Sequence, residues 1–148
     1  MLNLSFKEKS TLGTLIAILL IGALYFRSAW AMWQAGALQP VSNLGLATGL
    51  TILLVIVLIG YHILVALLSR PEQEDERDRL ITWRAGHIGG IVLGVGVIGV
   101  VLQVLIGSLW ADPVSASPVL IVNALMAVVF VATIVELSVA LVFYRRGL

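Results

Sequence analysis

Four long apolar stretches make up most of the chain, and no arrangement in water can enclose all of them. They run from about Leu12 to Trp33, Leu44 to Leu68, Ala85 to Trp110 and Val119 to Phe143. Each meets or exceeds the roughly 20 residues that a helix needs to cross a hydrocarbon core. A soluble chain averages about 25% charged residues; this one has 11%, against 60% hydrophobic. The pattern predicts an all-α fold, a polytopic four-helix transmembrane bundle forming a single domain over residues 1–148. Lys7 and Lys9 precede the first run as they would in a signal peptide, but its length and the tryptophans at its far end mark a retained span.

Charge gives the orientation. With both termini on the cytoplasmic side, every Lys and Arg except Arg27 falls on that side: Lys7, Lys9, Arg70, Arg77, Arg79, Arg84, Arg145 and Arg146. This is a positive-inside pattern, and it predicts a multi-pass protein of the cell inner membrane. Trp30, Trp33 and Trp110 then fall at outer interfaces and Trp83 at an inner one, where an indole keeps its ring in lipid and its N–H in water. The formal net charge is only +1, which argues against a nucleic-acid surface. There is no cysteine, so disulfides, thiolate metal sites and Cys nucleophiles are excluded.

The links at the outer ends, residues 34–43 and 111–118, are short and carry Gly36, Pro40, Asn43, Pro113 and Pro118. They predict turns between neighbouring antiparallel helices, with Pro118 able to open the last one. The link between the second and third spans is the polar segment. It holds Glu72, Glu74, Asp75, Glu76, Arg77, Asp78 and Arg79 and ends at Arg84. A helix beginning near Pro71 and continuing into the third span would put the acids at its positive N-terminal end and set Asp75 and Arg79 on one face. Three uses fit these residues: a solvated helix start, a contact with a cytoplasmic protein partner, or an oxygen-ligand cation site without the spacing of an EF-hand.

The Asp75 to Arg79 stretch, Asp-Glu-Arg-Asp-Arg, resembles that of small prokaryotic four-span membrane proteins with an acidic-basic segment just before the third span. The resemblance implies a prokaryotic integral membrane protein. It implies no reaction and no residue roles.

Gly86, Gly90 and Gly94 recur at four-residue intervals on the third span, with Gly89, Gly96, Gly99 and Gly107 nearby, and Gly45 and Gly49 recur on the second. Such ridges let backbones approach closely, either within the bundle or across a homodimer seam. Glu136 is the one acid deep in an apolar run. Its depth matches that of His62 at about 10 Å from the same boundary, given 1.5 Å per helical residue. Glu136 and His62, with His87, Arg84 and Tyr61, therefore make a candidate ligand or proton site, or a single interhelical hydrogen bond. Gln103 and Asn123 suggest a polar contact in the outer half, and Arg27 would snorkel outward toward Asp112.

No fingerprint of a hydrolase, phosphate loop or dinucleotide fold is present, and no catalytic residue or resident metal is expected. These features favour a non-enzymatic interaction or regulatory protein with a polar site near the cytoplasmic side, homo-oligomeric with a dimer preferred. The alternative is a proton-coupled small-molecule transporter acting as an oligomer. A lesser alternative is a protein holding one haem b between His62 and His87.

Overall fold

The computed structural model describes residues 6–68, 75–110 and 117–146. They form four helices: α1 (Phe6–Gln34), α2 (Pro40–Leu68), α3 (Glu76–Leu109) and α4 (Pro118–Arg146). All four are long and apolar enough to cross a membrane, and together they make a four-helix bundle. They contain the expected spans, except that Trp110 stands just past α3 as its C-cap.

The helix ends follow from local chemistry. Gly36 ends α1 with a φ of 65°, a left-handed conformation that costs a glycine nothing. Around it Ala37 N–H donates to the Met32 carbonyl at 2.9 Å and Gly36 N–H to that of Trp33 at 3.0 Å. These are the two bonds of a Schellman cap. Pro40 and Pro118 open α2 and α4, where a missing N–H costs least. The Ser42 hydroxyl accepts from Gln39 N–H at 3.0 Å and closes the start of α2.

The polar segment differs from expectation at this level. Among the described residues α3 begins at Glu76, not near Pro71, because Asp75 is extended (φ −84°, ψ 156°) and its carboxylate accepts from Glu76 N–H. Asp75 is thus a cap, and it faces its own helix start instead of pairing with Arg79. Glu72 and Glu74 lie outside the described residues.

The helices pack as a bent row in the order α3, α4, α1, α2. The α3–α4 seam is the most extensive, α1 packs on α2 and on α4, and α2 touches α4 only slightly. No packing contact joins α2 to α3. Each of the three main seams has a glycine facing a large side chain. A Cβ on Gly13 of α1 would collide with the Tyr61 ring of α2, and one on Gly22 would stand 2.9 Å from Phe130 of α4. On α3, a Cβ on Gly96 would stand 2.5 Å from Val128 Cγ1, and one on Gly89 2.8 Å from Glu136 Cβ. Ile81, Ala85 and Ala140 form a buried apolar cluster at the start of α3 and the end of α4.

The seam glycines are therefore not the ones with the most regular spacing. Gly90, Gly94, Gly45 and Gly49 have nothing within 4 Å of the position a Cβ would take, and Gly86 meets only a Glu136 oxygen at 3.7 Å. Within the chain, the first four line open faces of α3 and α2.

This contrast is testable. Gly96→Ala should lower stability in detergent by up to about 2 kcal/mol, since overpacking costs about 1–3 kcal/mol and helix propensity returns about 1. Gly94→Ala should be neutral or slightly stabilising to the single chain, as read by denaturant-induced loss of helical circular dichroism.

Candidate functional site

Two sets of polar groups emerge at the bundle end where α1 begins and α4 finishes. The first is the start of α3. Arg77 Nη2 donates to the Tyr144 carbonyl at 3.4 Å, and Lys7 Nζ sits 3.4 Å from an Asp78 oxygen. These contacts tie the first turn of α3 to α4 and to α1. Partly exposed pairs of this kind contribute about 0–1 kcal/mol, so they orient the segment more than they stabilise it. Glu76, Arg77, Arg79, Leu80, Thr82 and Trp83 line a broad open concavity of about 980 Å³. Within it Leu80 is 44% and Trp83 69% exposed, so charges and apolar side chains share one accessible surface.

The second is Glu136. Its carboxylate lies over the α3 backbone at Gly86 and Gly89, with one oxygen 3.1 Å from where a Gly89 Cβ would stand. Side chains at those two positions would fill the space the carboxylate occupies. Glu136 is half-buried, and it has no hydrogen bond or ion pair with any described residue.

The other expected members of that site lie elsewhere. His62 is exposed on α2, and its Nδ1 is 2.7 Å from the Leu58 carbonyl of its own helix. Tyr61 turns to α1, where its hydroxyl donates to the Lys9 carbonyl over Gly13. His87 is exposed on α3 and stacks on Trp83, with centroids 6.0 Å apart and planes at 18°. Arg84 is exposed as well. The physical reason is the row order. Equal depth brings His62 level with the polar part of α4, but α2 packs mainly on α1, touches α4 only slightly and does not pack on α3. The same separation keeps the two imidazoles from facing each other across one iron. Among the described residues no group of three or more His, Asp or Glu is arranged to hold a metal ion.

A third polar group, at the opposite end of the bundle, differs from the expected Gln103–Asn123 contact. Gln103 is exposed on α3, whereas Asn123 of α4 joins two other helices, α1 and α2. Tyr25 of α1 donates its hydroxyl to Asn123 Oδ1 at 2.9 Å. Asn123 Nδ2 donates to Asn43 Oδ1 of α2 at 3.0 Å and to the Val119 carbonyl at 2.8 Å. Tyr25 is 1% and Asn43 5% exposed. Phe26 and Phe130 pack around the phenol, with ring centroids 5.1 and 6.4 Å from it. The sequence does hold a signal for this knot. Asn43 and Asn123 each fall in the opening turns of a helix begun by proline, so they share one depth. Tyr25 carries no such mark. In hydrocarbon each of these groups needs a partner, and together they satisfy one another.

No protein family, curated protein or solved structure was found to match the chain. The assignment of a role therefore stands on the geometry alone.

Tyr25→Phe should cost about 0.6 kcal/mol and no more than about 1.7, the range of interhelical hydrogen bonds in membranes. Asn123→Leu should cost more, because it severs both links, and Glu136→Gln should leave stability unchanged. Reversible unfolding in mixed micelles would rank the three.

Proposed function

We propose that this small membrane-spanning protein works by protein–protein interaction, presenting the first turns of α3 to a cytoplasmic partner and self-associating through a face of the same helix. The observation that carries this reading is the open surface of Glu76, Arg79, Leu80 and Trp83. It combines both charge signs with exposed apolar groups, and its neighbours Arg77 and Asp78 are anchored to α4 and α1. A held, mixed surface of this type suits protein recognition, in which aromatic and Arg side chains supply the anchors. The charge pattern that assigns this end to the cytoplasm supports the partner's location.

Self-association is supported by the open glycines. Trp83, His87, Gly90, Gly94 and Val97 are all exposed and fall on one side of α3 at alternating spacings of four and three residues. Small residues at such positions let a second helix approach closely, and a dimer would also take His87 away from lipid.

Glu136 favours a second reading, a proton-responsive site as in a proton-coupled transporter. The support is that, among the described residues, it has no hydrogen-bond or ion-pair partner inside a membrane-spanning helix, where a bare carboxylate is costly.

The chain has no cysteine, which makes crosslinking direct. Val97→Cys should give a disulfide-linked dimer in membranes while Val131→Cys, on the exposed side of α4, should not. A partner copurified with the wild type should be lost on the double change Glu76→Lys and Arg79→Glu and kept in Glu136→Gln. If instead proteoliposomes show substrate-dependent proton uptake that Glu136→Gln abolishes, the transport reading replaces this one.

A further inference from the structure

Arg27 is the one Lys or Arg in the half of the chain remote from the α3 start, and its surroundings are unusual for a cation. It lies on α1 three residues before Trp30 and six before Trp33, hence about 4.5 and 9 Å nearer the bilayer centre than those indoles. Tryptophans mark the level of the headgroups. A guanidinium keeps its proton in any protein setting, so below that level it needs an anionic oxygen acceptor or a route for its stem back to water. Among the described residues it has neither an ion pair nor a hydrogen bond, and it is exposed. Asp112, the acid expected to meet it, lies outside the described residues.

Directly beneath Arg27 is a groove. Ala17, Leu20, Ile21, Ala23 and Leu24 of α1, with Val57 of α2, line about 420 Å³ of space that Arg27 closes at its upper end. Among the described residues, every lining residue except Arg27 is apolar. From Ala17 to Arg27 the groove runs about 15 Å along the helix, half of a hydrocarbon core about 30 Å thick. Leu20, Ala23 and Leu24 are exposed, so it opens sideways to lipid.

We infer that this groove is a binding site for one anionic phospholipid of the adjoining leaflet, with the phosphate on the Arg27 guanidinium and an acyl chain along Leu24, Leu20 and Ala17. The guanidinium fork matches two phosphate oxygens. A zwitterionic headgroup brings its own cation and competes with that contact. Free phosphate uses the fork but gains nothing from the apolar length below it. The site is independent of the proposed interaction surface, which lies at the other end of the bundle.

The test is native mass spectrometry of the full chain, released from detergent after equilibration with equimolar phosphatidylglycerol and phosphatidylcholine of identical chains. The wild type should retain one phosphatidylglycerol with a preference of about fivefold, the contribution of one cationic side chain near an anionic headgroup. Arg27→Gln should bring the two lipids close to parity, and Arg27→Lys should keep most of the preference. Ala23→Trp, a change on the exposed side of the groove, should reduce retention of both lipids. Inorganic phosphate should not displace the bound lipid. A wild type without preference, or one equally strong in Arg27→Gln, would overturn the site and assign any anionic lipid to the cations at the other end. Displacement by inorganic phosphate, or unchanged retention in Ala23→Trp, would overturn the acyl-chain part. Helical circular dichroism checks each variant; should Arg27→Gln not fold, Arg27→Lys and Ala23→Trp still decide.

Discussion

Every main seam of this bundle depends on a missing side chain on one helix and a large one on its neighbour. Gly13 receives the Tyr61 ring, Gly22 the Phe130 ring, Gly89 the base of Glu136 and Gly96 the branches of Val128. In lipid the acyl chains are as apolar as the helices, so burial from water contributes little and close fit contributes most. A gap filled by a specific partner also fixes the rotation of each helix about its axis. That matters here because the helices are apolar on nearly all sides, so their own surfaces leave the inward face undecided.

The fit dictates the row α3, α4, α1, α2, and the row decides which polar groups can meet. Glu136 lies against α3, Tyr61 against α1, and the exposed imidazoles of His62 and His87 lie on helices that do not pack together. A carboxylate between two glycines is admitted sterically without being hydrogen-bonded. The reverse holds for Asn123, whose two amide donors and one acceptor lone pair are engaged by α1, α2 and its own helix. Among the described residues, the hydrogen-bonded knot at Asn123 and the unbonded acid Glu136 thus stand at opposite levels.

The four helices were legible in the sequence because length and apolarity alone decide them, and Gly36, Pro40 and Pro118 carry their own punctuation. Depth was legible too, since each residue adds a fixed rise. What the sequence withholds is azimuth. Counting residues from a boundary puts His62 level with the polar part of α4, but only packing tells that α2 lies mainly against α1 and barely touches α4. The glycines show the same limit. The regular series Gly86, Gly90, Gly94 stands out on paper, whereas Gly89 and Gly96, seven residues apart, match the side of α3 that α4 covers. Asp75 departs from expectation for a different reason: an acid before a helix can be its first turn or its cap, and one hydrogen bond to Glu76 decides.

Connectivity and chemistry divide the work between them. The chain joins α1 to α2 and α3 to α4 through links of few residues, so the two helices of each hairpin find each other at little entropic cost. Nothing in the covalent order aligns one hairpin with the other. It is at that junction, between α1 or α2 and α4, that Tyr25, Asn43, Asn123, Phe26 and Phe130 are gathered. Directional bonds and edge-to-face rings are concentrated at the junction the backbone leaves free to slide, so that segments far apart in the chain still meet in a single register.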